Sequence, residues 1–226
     1  MITRLWTAAF VITAVLAMVS RSADRDGSTE ESRPALVNQC PQQWGRNIKK
    51  VLWTDDVIKN RIAEMAHEIS EDYGRVLEGD ERIVVIGLMN GAVMFTADLA
   101  RSLTVANEID FIRVSSYHGT NSTGNVRLVK AAEVTLRDRH VLLLEDLIDT
   151  GTTLQWVRSH LSDCGAKSIK IACLLDKTVK RKTHVPIDYV GWECPDEFVV
   201  GYGMDFNEAY RTLKFIGVLH ESAYLM

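Results

Sequence analysis

The sequence is poor in several of the features that identify specialised proteins. Its four cysteines, Cys40, Cys164, Cys173 and Cys194, are too sparse for a disulfide framework, and none has the C-x-x-C or Cys/His spacing of a zinc site. They read as thiols of a reducing compartment. Four prolines and 14 glycines in 226 residues exclude collagen-like and proline-rich architectures. Lysine plus arginine (26) against aspartate plus glutamate (30) leaves a net charge of −4, so nothing points to a nucleic-acid partner. No internal repeat is apparent. The G-x-x-x-x-G-K-[ST] pattern is absent, and no G-x-G-x-x-G follows the first strand candidate. Their absence disfavours an ordinary P-loop nucleotidase and a dinucleotide-binding domain. What is present, 46% hydrophobic and 25% charged residues, describes a globular chain that can bury a core as one domain or at most two small ones.

The amino end has a different character. Leu5 to Val19 carries no charge, follows Arg4, and is followed by Ser20, Arg21, Ser22 and Ala23. This run is shorter than the roughly 20 apolar residues of a bilayer-spanning helix. A basic start, a short apolar stretch and small residues after it form a signal-peptide pattern. A cleaved secretory signal, a short membrane anchor and an extension that the folded domain ignores all fit. Residues 1–22 are therefore read as an apolar leader. Residues 23–50, rich in small and charged side chains, are read as a flexible linker, and 51–226 as the folded domain.

Within that domain, helical and strand patterns alternate. Thr54 before Asp55 and Asp56 is an N-cap signal, and Ile58, Ile62, Met65, Ile69 and Tyr73 recur at helical spacing. A helix is expected over residues 55–73 and another over 92–103. Strands are expected at 82–89, 108–117, 126–130, 140–144, 168–175, 187–192 and 198–202, with a helix over 153–164. Interleaving of this kind argues an α/β fold with a mainly parallel sheet. Ligands of such sheets sit beyond the carboxyl ends of strands. That rule directs attention to Met89-Asn90-Gly91, to Glu145 onward, and to Lys177.

The most informative segment is HVLLLEDLIDTGTT, residues 140–153. An apolar strand runs into Glu145, Asp146 and Asp149, and then into Thr150, Gly151, Thr152 and Thr153 before a helix. Paired carboxylates can accept hydrogen bonds from a sugar diol. A Thr-Gly-Thr-Thr turn at a helix start offers backbone N–H groups and a favourable dipole to a phosphate. Together these suit a ribose 5-phosphate. An inert acidic loop ahead of a threonine-rich cap is the bland alternative, and two acids alone would not distinguish them.

LLLEDLIDTGTT resembles the phosphoribosyl pyrophosphate (PRPP) motif of type I phosphoribosyltransferases. DFIRVSSYHGTNSTG (110–124) resembles the mobile loop of the hypoxanthine-guanine subfamily. KIACLLDKT (170–178) and DYVGWECPDEFVVGYGMDFNEAYR (188–211) resemble its purine-binding hood. The likeness runs from about Val51 to His220. It implies the type I phosphoribosyltransferase fold, a mainly parallel sheet flanked by helices with a small hood subdomain. It also implies transfer of the phosphoribosyl group of PRPP to a 6-oxopurine, with Mg2+ as cofactor and assembly into homodimers or homotetramers.

The resemblance also implies roles. Glu145 and Asp146 hold the ribose hydroxyls, directly or through Mg2+, and Asp205 binds a second Mg2+. Asp149 faces N7 of the purine as general base or hydrogen-bond partner. Thr150, Gly151, Thr152 and Thr153 cradle the 5-phosphate. Lys177 donates to the purine's exocyclic oxygen, which an amino group could not accept. Phe198 stacks on the base and the backbone of Val199 reads its edge. Arg211 grips pyrophosphate. Asn90 and Gly91 form the first pyrophosphate loop, and Ser116 and Tyr117 the tip of the closing loop.

Departures from the pattern bear on the expected activity. A lysine usually precedes the glycine of the pyrophosphate loop, where this chain has Asn90, and Thr152 stands where a lysine is often found. Asn90 keeps its backbone N–H but not the charge. A catalytically weak nucleotide-binding homologue is therefore a competing expectation, as is a preference for xanthine. PRPP and magnesium nucleotides are cytosolic, so a cytosol-facing catalytic domain is expected, with residues 5–19 a tether or an atypical extension.

Overall fold

A computed structural model describes residues 40–116 and 126–225. The main sheet has six strands in the order β4-β3-β2-β5-β6-β7: β2 (Ile83–Met89), β3 (Asn107–Ser116), β4 (Val126–Lys130), β5 (His140–Ile148), β6 (Ser168–Asp176) and β7 (Tyr189–Glu193). All neighbours are parallel except β3 and β4. From β2 the chain steps to β3 on one side. It later returns to lay β5 on the other side of β2, so the connections reverse between β2 and β5. The crevice beyond the carboxyl ends of these two strands is where such sheets bind ligands.

Strands β2 and β5 are apolar on both faces because helices cover both. Ile83, Val85, Leu142 and Leu144 pack against α2 (Asp55–Gly74) and α3 (Val93–Ser102). Val84, Ile86, Leu88, Val141 and Leu143 pack with Leu154, Val157 and Leu161 of α4 (Thr152–Asp163). The Thr54 hydroxyl accepts from the Val57 N–H, capping α2. Cys173 and Cys194 are buried free thiols, and burial raises the pKa of both.

A second, antiparallel sheet of three strands has the order β1-β9-β8, formed by β1 (Ile48–Trp53), β9 (Ile216–Leu219) and β8 (Val199–Val200). It forms the hood, and its core includes Ile48, Val51, Val200, Tyr210 and Phe215. Neither β1 nor β9 is evident in the sequence pattern, because each is short and its partner lies at the other end of the chain. The folded body therefore begins ahead of Val51, and the expected 23–50 linker is too long at its carboxyl end. A short helix α1 (Gln42–Gly45) precedes β1, Trp44 packs against Tyr210 with ring centroids 5.3 Å apart, and Ile48 is 3% exposed. The expected strand at 198–202 ends at Val200, because Gly201 turns the chain at φ +98°. Strand β5 runs on past Leu144, held by the pairing of Glu145 with Cys173 and of Ile148 with Asp176. The apolar leader lies outside the described residues. Among the described residues no helix is long and apolar enough to cross a membrane.

Asp110 on β3 pins the connection between β4 and β5. Burial would raise its carboxyl. The N–H groups of Val134, Phe111 and Glu133, with the Lys130 ammonium, outweigh that and hold it at about 2.

Two outcomes follow from these contacts. Ile48→Ala lowers the unfolding free energy by about 2–4 kcal/mol in denaturant titration, where a linker residue would change nothing. Asp110→Asn is destabilising by about 1–3 kcal/mol at neutral pH. Because the native carboxyl titrates below its unfolded counterpart, its stabilisation is complete above about pH 4 and fades as pH falls towards 2. The gap between variant and parent, followed by urea unfolding at several pH values, narrows over that interval.

Candidate active site

Three strand ends converge on the same side of the main sheet. β2 delivers Met89, Asn90 and Gly91, with the Met89–Asn90 peptide cis. β5 delivers Glu145, Asp146 and, one residue past its end, Asp149. β6 ends at Asp176, so Lys177 begins the next segment, and its N–H donates to the Ile148 carbonyl at 2.9 Å. Glu145 and Asp146 sit within the β5 ladder, so their backbone is fixed by strand pairing and not by a loop.

A cavity of about 340 Å3 opens over these ends. It is lined by Asn90, Gly91, Glu145, Asp146, Asp149 and the turn Thr150–Gly151–Thr153 on the sheet side, and by Asp205 and Arg211 from the hood. A second cavity of about 330 Å3 adjoins it, lined by Lys177, Lys180, Phe198, Val199 and Met204. The two share Asp146, Leu147, Asp149 and Asp205. One space is thus rich in carboxylates and backbone N–H groups, and the other offers a flat ring and two ammonium groups.

Close backbone packing shapes the first cavity. A Cβ at Gly91 would collide with the Asp146 carboxylate, and a Cβ at Gly203, where φ is +104°, with the Gly91 carbonyl. The hood therefore rests directly on the β2 loop. Arg211 closes this turn: its Nη1 donates to the Gly203 carbonyl at 2.9 Å, and its own carbonyl accepts from the Gly203 N–H at 2.8 Å. Its Nη2 pairs with Asp205 at 2.8 Å and with Glu208 at 3.0 Å. Tyr202 ties the hood to α3, donating to Asp98 at 2.6 Å.

Burial pushes the Glu145 carboxyl well above its usual range, and the Asp146 charge beside it adds to the shift. Burial raises Asp146 as well, opposed by its hydrogen bond with Glu145. Such a pair is poised to take up a cation or the hydroxyls of a ligand. Among the described residues Asp149 Oδ1 is buried and accepts no hydrogen bond, which suits an acceptor for a ligand N–H. Lys177 is 6% exposed; its ammonium donates to the Glu197 carbonyl at 2.8 Å and lies 3.8 Å from Asp196.

The structure brings together Asn90, Gly91, Glu145, Asp146, Asp149, Thr150, Gly151, Thr153, Asp205 and Arg211 around one cavity, and Lys177, Phe198 and Val199 around the next. Thr152 is exposed and lines neither; its hydroxyl faces that of Thr183 at 3.4 Å. Ser116 ends β3 opposite Val126, and Tyr117 lies outside the described residues. Among the described residues no three acidic, cysteine or histidine side chains form a metal-holding group. Glu145, Asp146 and Asp205 thus do not make a closed cage. Their hard oxygen donors still suit Mg2+, which commonly takes one or two carboxylates and completes its shell with substrate oxygens and water.

Sequence reasoning missed Lys180, Tyr224 and Arg181. Lys180 lines the second cavity and pairs with Asp196 at 3.2 Å. Tyr224 stacks on Phe198 at 4.9 Å, while Phe206 meets Phe198 edge-on. No local pattern marks these residues; their partners are distant or their neighbours read as solvated charge.

Comparison with known proteins gives a consistent result. The phosphoribosyl transferase domain family matches residues 54–207. A hypoxanthine-guanine phosphoribosyltransferase of Staphylococcus epidermidis is 42% identical over 180 residues, covering 79% of this chain and 98% of that protein. One from Mycobacterium avium is 41% identical over 200 residues, covering 88% of this chain and 98% of its own. A crystal structure of a hypoxanthine phosphoribosyltransferase from Staphylococcus aureus superimposes with a TM-score of 0.74 at 39% identity, covering 80% of this chain and 97% of that one.

The glycine contact sets a stability expectation. Gly203→Ala forces a Cβ against backbone at a left-handed φ and costs about 2–4 kcal/mol. Gly79→Ala, at φ +55° with open space around it, costs only the conformational strain of about 1–2 kcal/mol. Thermal and denaturant unfolding of the two variants side by side measures the difference.

Proposed function

The chain belongs to the phosphoribosyl transferase domain family, and we propose from that membership and the site geometry how it works. It is a hypoxanthine-guanine phosphoribosyltransferase of purine salvage. It transfers the phosphoribosyl group of PRPP to N9 of hypoxanthine or guanine, giving IMP or GMP and pyrophosphate. The observation that carries the residue-level reading is the pair of adjoining cavities that meet at Asp146 and Asp149.

In this reading the first cavity takes PRPP. The turn from Thr150 to Thr153 offers N–H groups at the start of α4 to the 5-phosphate. Glu145 and Asp146 accept from the ribose hydroxyls. Asn90 and Gly91 present backbone to the pyrophosphate, and Arg211, released from part of its pairing with Asp205 and Glu208, grips it. The second cavity takes the purine. Phe198 stacks on its face and Val199 reads its edge. Lys177 has ammonium protons beyond the one given to Glu197, and donates to the 6-oxo group. Asp149, at the junction, accepts from N7 through the oxygen that now lacks a partner.

Phosphoribosyltransferases are generally Mg2+-dependent. Asp146 and Asp205, which reach both cavities, and Glu145 would hold the ion against the substrate. When bound, it neutralises charge on PRPP and on the departing pyrophosphate. The chain's own contribution is alignment. Sugar and base are held on a fixed sheet edge, and as the bond from the anomeric carbon to pyrophosphate breaks, Asp149 takes or shares the N7 proton, leaving its electron pair on the purine so that N9 can form the new bond. PRPP supply places this chemistry in the cytosol.

With PRPP, Mg2+ and hypoxanthine the protein yields IMP, read by absorbance or chromatography. Asp149→Asn lowers kcat by about 10²–10⁴-fold while nucleotide affinity changes little. Lys177→Met raises KM for hypoxanthine and leaves KM for PRPP nearly unchanged. Tight GMP binding without turnover of hypoxanthine, guanine or xanthine would overturn the catalytic reading.

A further inference from the structure

We propose that Arg181 is a positioning residue for the phosphate-binding turn; the inference rests on the assignment of residues 150–153 to the 5-phosphate. A trans peptide is planar, with its C=O and N–H on opposite sides. The Arg181 Nε donates to the Asp149 carbonyl at 3.2 Å. The N–H groups of Lys182 and Thr183 both donate to the Thr150 carbonyl, each at 3.0 Å. Holding those two carbonyls towards residues 181–183 turns the N–H groups of Thr150 and Gly151, across the same two peptide planes, away from that segment. Thr150 and Gly151 line the first cavity, whereas Arg181, Lys182 and Thr183 do not. The strap behind the turn thus aims its donors at the phosphate site.

The packing fixes this arrangement closely. Gly151 adopts φ +80°, and a Cβ there would lie 2.5 Å from the Thr183 carbonyl and 3.0 Å from Arg181 Cδ. The Arg181 guanidinium is itself anchored by an ion pair with Asp176, both side chains being largely buried at 17% and 15% exposure. A planar fork suits this double task, Nε towards a carbonyl and Nη2 towards a carboxylate, and a lysine ammonium reproduces it poorly. Arg181 contacts neither base nor sugar in this geometry. It acts through the turn, so its removal weakens recognition of the phosphate and spares recognition of the nucleoside.

The test compares dissociation constants of GMP and guanosine by calorimetry in the full-length protein, for the parent, Arg181→Gln and Arg181→Lys. The parent binds GMP far more tightly than guanosine. Arg181→Gln weakens GMP by about tenfold, the loss of one charge-assisted hydrogen bond, and leaves guanosine unchanged. KM for PRPP rises in step while KM for hypoxanthine does not. Arg181→Lys keeps the charge and most of the stem, stays folded, and shows the same selective loss to a smaller extent. An unchanged GMP-to-guanosine ratio in both variants, or equal weakening of both ligands, overturns the proposal. A parent protein that binds GMP no better than guanosine would instead refute the phosphate assignment itself.

Discussion

The parallel pairing of β5 with β2 on one side and β6 on the other is the constraint from which the rest of the site descends. It brings three strand ends to one edge and carries Glu145 and Asp146 into the cavity on backbone that is already hydrogen-bonded. Acids placed on a free loop would swing away from one another to stay hydrated. Acids on a central strand, backed by apolar layers on both faces, have nowhere else to go. The energetic cost of confining them is borne by the core, and the result is a pair with raised pKa values facing an opening.

The second constraint is contact without side chains. Gly203 lies against Gly91, and Gly91 against Asp146, so hood, β2 loop and β5 are stacked at backbone distance. Arg211 and Tyr202 hold the hood in that position through hydrogen bonds to Gly203 and Asp98. Left-handed residues cluster in this turn, including Tyr202, Asn207, Glu208 and Tyr210. Such backbone persists only where surrounding contacts overdetermine it, and the hood turn is a place where they do.

Much of this was legible in the sequence. The apolar runs at 82–89 and 140–144 read as strands because they are buried on both faces, and Thr54 reads as a cap because it is one. Glu145, Asp146, Asp149 and the Thr-Gly-Thr-Thr turn stood out because their chemistry is local. What escaped was non-local. Ile48 and Leu219 pair across almost the whole folded chain, so neither end shows a recognisable strand on its own. Arg181 lies between Lys180 and Lys182 with no local motif of its own, and only the fold brings Asp149 and Asp176 to it. Thr152 differs from its neighbours in the motif: its side chain is exposed and faces Thr183, so its place in the turn is carried by its backbone.

The two adjoining cavities draw their unshared linings from different stretches of chain, and this has an evolutionary reading. A lineage could acquire a new heterocycle preference by drift at Phe198, Val199 or Met204 without touching the grip on the activated pentose. Asp176 limits that freedom: it precedes Lys177 and anchors Arg181, so selection on one compartment is felt in the other at this single bead of the chain.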